Sequence, residues 1–287
     1  MVGGDRRRQR SGSEVVEEDV RDLGQRGAAL LGGELLHVEP LGGGSLSRLV
    51  RIVLADGRQA IVKTAPSPQS EARMLGAIRA AGAPAPEVYA LNAEFLVLEI
   101  QPNNDGVASA WFDLGSVLRR LHDSQGIRYG WTEDYAFGPV QIVNRWSDDW
   151  PQFWAEHRLL NNARYVGTSL ARRLEALCDD LPNRLPQSPK PSLLHGDLWG
   201  GNVLVESGRV SSLIDPACYY GHGEVDIAML MMFDSPGSAF FLAYGKLEAG
   251  HKERLDIYRL WPALVHLRLF GGGYRPLLER LLTGLGV

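Results

Sequence analysis

An α+β chain of two lobes, a small β-rich one followed by a larger, mainly helical one, is what this 287-residue sequence predicts. Three observations carry the prediction. Short apolar runs punctuated by glycine, proline and an Asp-Gly pair occupy residues 35–100, the pattern of strands joined by tight turns. Beyond Gln101-Pro102 the apolar residues recur at helical spacing instead. The length suits about two domains, or one domain of two lobes.

In order, residues 1–12 read as a disordered tail of Gly, Arg and Ser. Ser11 and Glu14 have capping-box spacing, and a helix follows to about Leu31 with Val16, Val20, Leu23 and Leu30 on its apolar side. Strands are predicted at Leu35–Leu41, Leu49–Leu54 and Gln59–Thr64. Gly42-Gly43-Gly44-Ser45 turns between the first two, and Asp56-Gly57 between the second and third. After Pro66 and Pro68 comes a helix over Ser70–Ala80 bearing Met74, Leu75 and Ile78 on one face, then strands at Val88–Leu91 and Phe95–Ile100. Residues 13–102 thus form the first lobe and 103–287 the second, with a hinge near Ile100–Asn104. The second lobe holds predicted helices over Ala108–Asp123, Asp148–Asn162 and Ser169–Asp180, a turn-rich stretch Leu181–Pro191, and a β-hairpin. Helices at Glu224–Met232, Ser238–Tyr244, Lys252–Phe270 and Arg275–Leu282 complete it.

Composition narrows the function classes. Net charge is −4 and 45% of residues are hydrophobic, so the chain is an ordinary globular one without a polyanion binder's bulk charge. Arg6, Arg7, Arg8 and Arg10 read as a solvated tail, with no apolar stretch behind them to make a secretory signal. No apolar window reaches the ~18 residues of a membrane span. Cys178 and Cys218 are far apart and lack metal-ligand spacing. The expectation is a cytoplasmic monomer or weak dimer with neither nucleic acid nor membrane as partner. Lysine is scarce: only Lys63, Lys190, Lys246 and Lys252 occur, so Lys63 at the end of Ala60-Ile61-Val62-Lys63 is conspicuous.

The chemistry concentrates in Leu193-Leu194-His195-Gly196-Asp197-Leu198-Trp199-Gly200-Gly201-Asn202-Val203-Leu204 and in Asp215 at the end of the next strand. Asp, Asn and Asp in that order at strand ends are the groups that hold magnesium and ATP beside a hydroxyl nucleophile. The first Asp accepts the hydroxyl proton, while the Asn and second Asp ligate metal. Asp197 is therefore the candidate base, and Asn202 and Asp215 the candidate metal ligands. Alone, Asp197 could be an Asx turn and Asn202 a loop cap; their joint spacing is what is specific. His195 reads as a turn brace bonded to backbone. Asp226 reads as an acid at a helix start that can brace the same turn. The loop Gly43, Gly44 and Ser45 could cover phosphates or be a plain glycine hairpin, and it is not a Walker A motif. Lys63 could reach the phosphates, with Glu71 holding its ammonium; Glu71 could equally be a first-turn helix acid. Trp199, Tyr219, Tyr220 and His222 suit stacking on a sugar face, or packing of the loop.

With those residues in view, the chain resembles the fructosamine kinase (ketosamine 3-kinase) family, a branch of the aminoglycoside-phosphotransferase-like kinases. The resemblance rests on His195 through Asn202, on Ile214 through Asp226 (IDPACYYGHGEVD), on Trp146 through Leu159, and on Leu264–Leu267 with Phe270-Gly271. It implies a protein-kinase-like fold, ATP with Mg2+, and phosphorylation of a ketosamine hydroxyl on a small molecule or on a glycated-protein lysine. The phosphate destabilises the adduct, so the activity is one of deglycation and repair. It also implies Lys63 and Glu71 as the phosphate-positioning pair and a hinge at Leu98–Ile100, with Glu99 and Ile100 meeting adenine. Ser45 stands where some members carry a loop cysteine, so a thiol switch there is not expected. Two alternatives stay open: the same fold acting on an aminoglycoside, choline or another amino alcohol, and a nucleotide-binding pseudokinase scaffold.

Overall fold

The computed structural model describes residues 12–42 and 47–287, with side chains from residue 18 onward. The arginine cluster, the Ser11/Glu14 capping pair, the side chain of Val16 and loop residues Gly43, Gly44 and Ser45 lie outside the described residues. The chain divides into two units, Met1–Gln69 with Glu87–Ile100, and Ser70–Pro86 with Gln101–Val287.

The first unit is a five-stranded antiparallel sheet under one helix. Helix α1 (Gly12–Leu30) precedes β1 (Leu35–Leu41), β2 (Leu49–Leu54) and β3 (Gln59–Thr64). Helix α2 (Pro68–Ala80) intervenes before β4 (Val88–Leu91) and β5 (Phe95–Leu98), and the strand order is β1-β2-β3-β5-β4. The period-2 alternation of β2 and β3 sends Val50, Ile52, Leu54, Ala60 and Val62 to one face, where they pack with Leu23 and Ala28 of α1. Gly27 makes that packing possible: a Cβ there would lie 2.3 Å from Val62 Cγ2, so only glycine lets the helix sit this close. Lys63 follows Val62 and therefore points to the opposite face, where it is buried, opposite Leu96 of β5. The turn at Asp56-Gly57 closes as predicted, with Asp56 Oδ1 accepting from Arg58 N–H at 3.0 Å.

Strand β5 ends at Leu98, two residues before the predicted Ile100. Beyond it the Glu99 amide donates to Glu87 O at 2.9 Å, and Glu99 Oε2 accepts from the Glu87 amide at 3.1 Å.

In the second unit α2 buries Met74, Leu75 and Ile78, the predicted stripe. Segment 70–86 belongs here because it is bonded here: the Cys218 amide donates to Met74 Sδ at 3.3 Å, and the Leu213 amide to Pro84 O at 2.8 Å. A 3₁₀ turn (Val107–Ala110) leads into α3 (Trp111–Asp123). The sequence reading missed the hairpin that follows, β6 (Tyr135–Phe137) and β7 (Val140–Ile142).

Helix α4 (Trp150–Trp154) is capped by Asp149, whose Oδ1 accepts from Gln152 N–H at 2.7 Å. The helix expected over Asp148–Asn162 is not uniform: Ala155–Leu160 is π-helical, before α5 (Asn161–Ala163). Helix α6 (Thr168–Arg184) runs four residues past the predicted Asp180 with Pro182 inside it. The buried Leu170, Leu174, Leu177 and Leu181 continue one packed stripe, and that burial outweighs the proline's lost N–H.

Strands β8 (Ser192–Leu194), β9 (Val203–Glu206), β10 (Arg209–Leu213) and β11 (Tyr219–Gly221) frame the motif. Helices α7 (Glu224–Phe233), α8 (Ser238–Tyr244), α9 (His251–Phe270) and α10 (Arg275–Gly284) close the unit. Among the described residues no helix is long and apolar enough to cross a membrane.

Candidate active site

Two short antiparallel pairs build the site's frame. Strand β8 pairs with β11, setting Leu194 opposite Tyr219, and β9 pairs with β10. Two further bonds zip the turn after β8 to the segment after β10: the Ala217 amide donates to His195 O at 2.9 Å, and the Ile214 amide to Asn202 O at 3.0 Å. Asp197, Asn202 and Asp215 are thereby held in one neighbourhood, although Asp215 is distant in sequence. Gly196 sits at φ +81, and a Cβ there would lie 2.0 Å from Ala217 O, so any side chain would force the two segments apart. Asp215 itself has φ +56, a left-handed conformation that costs a non-glycine residue and marks an over-determined position.

Asn202 Nδ2 donates to Asp197 O at 2.8 Å and to Asp197 Oδ2 at 3.2 Å. Asn202 is buried and Asp197 half-buried. Beneath them lies a layer of braces. The Asp226 carboxylate accepts from the amides of His195 (2.7 Å) and Gly196 (2.9 Å), as expected of that acid. His122 Nε2 lies 3.1 Å from Asp226 Oδ2 and its Nδ1 2.8 Å from Tyr244 OH. A carboxylate accepts, so His122 donates from Nε2 and accepts from the Tyr244 hydroxyl at Nδ1. Asp234, just past α7, accepts from Gly200 N–H at 2.7 Å. His195 is the expected brace: Nε2 lies 3.0 Å from Ile214 O and Nδ1 accepts from Asp197 N–H. Burial lowers its pKa and keeps it neutral, which suits that pattern of one donor and one acceptor.

Tyr135, on the unforeseen hairpin, lies within electrostatic reach of the site. Its hydroxyl pKa is pushed well up, first by burial and then by the charges of Glu71, Asp215 and Asp197. The charges of three carboxylates therefore reach one phenol within the second unit. The signal in the sequence was the alternating Tyr135-Ala136-Phe137 run before Gly138-Pro139. Among the described residues no three His, Cys, Asp or Glu side chains are placed to ligate one ion. The donor set is instead hard oxygens from at most two carboxylates and an amide. A magnesium ion that keeps several waters and takes substrate phosphates requires no more than this.

The remaining predicted residues divide. Trp199 is exposed and meets Phe233 edge-on, ring centres 6.3 Å apart. Tyr220 is half-buried between Trp131 and Trp146, its backbone bridged to Gly130. His222 accepts at Nδ1 from the Tyr258 hydroxyl at 2.8 Å; that hydroxyl in turn accepts from Trp150 Nε1–H at 2.9 Å. Tyr219 requires a correction. It is fully buried, stacked on Phe153 with the Arg158 guanidinium 4.1 Å from its ring centre, so it is core and not a sugar contact. Its pairing with Leu194 turns the side chain inward, a fact of register invisible in the Tyr219-Tyr220 doublet. Lys63, Glu99 and Ile100 belong to the first unit, whereas Glu71 belongs to the second.

Comparison with known proteins gives a consistent answer. The fructosamine kinase family model matches residues 32–285. A probable ketoamine kinase of Synechocystis is 36% identical over 200 residues, 66% of each chain. The chloroplastic protein-ribulosamine 3-kinase of Arabidopsis thaliana is 35% identical over 176 residues, 57% of this chain and 53% of that one. The chain thus spans about two thirds and about half the length of these curated relatives. The crystal structure of a putative fructosamine-3-kinase from Thermobifida fusca superposes with a TM-score of 0.84 at 30% identity, covering 93% of this chain and 99% of that one. The architecture is the bilobal α+β, protein-kinase-like fold.

Proposed function

We propose, on the premise that the chain belongs to the fructosamine kinase family, that it phosphorylates a sugar hydroxyl of ketosamines, the fructosamine, ribulosamine or erythrulosamine adducts left on lysine by glycation. As a member of that family it is an ATP-dependent phosphotransferase. The narrower reading is carried by the braced turn His195–Asn202 zipped to Asp215, in a chain matched along most of its length to a family named for this substrate class.

Asp197 is the proposed base. Its carboxylate is tethered by Asn202 and its backbone amide by His195, so it can orient a substrate hydroxyl and receive its proton without first reorganising. Asn202 commits its NH2 to Asp197, which leaves the amide oxygen as its ligand atom, and Asp215 supplies a carboxylate. Together they suit a magnesium ion, which when bound neutralises charge on the transferring phosphoryl group. Glu71 keeps its proposed role as the partner of the Lys63 ammonium. In the first unit, Lys63 is proposed to contact the ATP phosphates, Glu99 and Ile100 the adenine, and Gly43, Gly44 and Ser45 to cover the phosphates. Exposed Trp199 and half-buried Tyr220 and His222 are the proposed substrate-side residues; Tyr219 is not.

The test is magnesium-dependent ATP consumption with ribulosamine and fructosamine, beside aminoglycosides and choline, for the parent and Asp197→Ala. Turnover of a ketosamine that the variant loses is the expected result. Turnover of another alcohol with none of any ketosamine overturns the substrate assignment, and ATP binding without transfer across the panel overturns the enzymatic one.

A further inference from the structure

A cavity in the helical unit is chemically distinct from the catalytic turn. It has a volume of about 660 Å³ and lies among α7, α8 and α9. Met231, Phe241, Leu247 and Leu255 give it an apolar lining, and Lys246, His251, Lys252 and Arg259 stand with Asp256 around them. The volume falls in the range of small-molecule sites, which are mostly apolar with a few convergent polar groups. The charge balance is unusual for this protein. The whole chain is net negative and has four lysines, yet two of them line this one cavity.

Two of the neighbouring acids are committed to other partners. Asp256 is taken by Arg259 at 2.9 Å, and Glu253 by Arg184 at 3.0 Å. Glu248 offers its backbone oxygen to His251 Nδ1 (2.9 Å) and Arg254 (3.3 Å), anchoring the 246–250 loop that carries Lys246. Arg254 itself is paired with Glu224 through two 2.7 Å bonds. Among the described residues no carboxylate forms an ion pair with Lys246 or Lys252. Asp226, which braces the catalytic turn, is on α7 as well, but at ~100° per residue Met231 lies about 140° around that helix from it. The cavity therefore opens on a different side of α7 from the turn.

We propose that this cavity binds a small anionic amphiphile, its carboxylate or phosphate held by Lys246 and Lys252 and its apolar body seated on Met231, Phe241, Leu247 and Leu255. An apolar floor alone would take any greasy ligand. The two ammonium groups select the anion, and a matched cation is repelled.

The experiment is calorimetric titration of sodium dodecanoate, below its micelle concentration, into the full-length protein, with dodecyltrimethylammonium as the matched cation. Saturable binding of dodecanoate and none of the cation is expected. Lys246→Glu/Lys252→Glu should weaken dodecanoate by about tenfold or more, and Leu255→Trp, which fills the floor, should abolish it. Both lysines are exposed, so the charge-reversed variant should keep the parent's circular dichroism and melting temperature. Should that variant lose its fold, Lys246→Gln/Lys252→Gln is read in its place, with weakening in the same direction expected. The site is overturned if dodecanoate does not bind, if the cation binds as tightly, or if the folded lysine variant binds like the parent.

Discussion

Asn202 donates its side-chain amide to both the carbonyl and the carboxylate of Asp197, five residues earlier. One planar group thus fixes where the proposed base points and which of its own atoms faces outward. Replacing Asp197 by Asn should lower kcat by about 10²–10⁴-fold with little change in the KM for ATP. Asn202→Ala unties the base as well as removing a ligand atom. Its activity should fall at least about 10–100-fold and its half-saturating magnesium concentration should rise. Steady-state kinetics at varied magnesium checks both, and an unchanged magnesium dependence in Asn202→Ala would remove it from the metal site.

Asp226 carries the turn from below, and it is fully buried while accepting from two backbone amides and His122. Deleting the carboxylate strands three buried donors together. Asp226→Ala should therefore cost about 3–5 kcal/mol, readable in urea unfolding. Asp226→Asn keeps the shape and one acceptor, so its loss should be smaller. A near-neutral Asp226→Ala would mean that the turn stands without its brace.

Gly196 tests the zipper geometrically. Alanine there needs both a positive φ and room that Ala217 O already occupies. Gly196→Ala should destabilise by several kcal/mol, or inactivate by displacing Asp197, well beyond the ~1 kcal/mol of an ordinary glycine replacement. Circular dichroism melting alongside the kinase assay separates the two outcomes.

The turn itself was legible from the sequence because its chemistry is local. Asp197, Asn202 and the bracing His195 sit within one eight-residue stretch, and Asp226 heads a helix whose first turn favours an acid. What stayed hidden depends on pairing across distance. Tyr135 reaches the acidic neighbourhood only because β6 and β7 form a hairpin, and a three-residue strand leaves little periodicity to read. Tyr219 and Tyr220 looked alike as a doublet, yet adjacent strand residues face opposite ways and only the β8 register says which is inside. The run past Pro182 was misjudged for a related reason: tertiary burial of Leu181 overrides a local breaker.

The inward register of Tyr219 predicts a specific kinetic silence. Tyr219→Phe removes only a hydroxyl from a ring packed on Phe153 and Arg158. It should leave the KM for the acceptor unchanged, with at most about 1–2 kcal/mol lost in stability. Exposed Trp199→Ala, by contrast, should raise the acceptor KM. A Tyr219→Phe variant with a raised acceptor KM would return Tyr219 to the substrate side.

His222 connects the fold to pH. Burial, with Arg254 and His122 nearby, pulls its pKa down to about 3 from 6.5. Its Nδ1 accepts from Tyr258, so protonation would set a proton against a donor. Below pH 6.5 the unfolded chain takes up a proton here and the folded chain does not until about pH 3. Stability is thus complete above pH 6.5 and is lost progressively as pH falls. The slope approaches 1.4 kcal/mol per pH unit, about 2 kcal/mol by pH 5 for this residue. His157 and His266, also lowered by burial, act in the same direction. Urea unfolding at pH 7.5, 6.5 and 5 should show the decline, and His222→Asn should be less stable at pH 7.5 yet flatter in pH. If the variant falls as steeply as the parent between pH 6.5 and 5, the imidazole is not held neutral and the lost stability arises elsewhere.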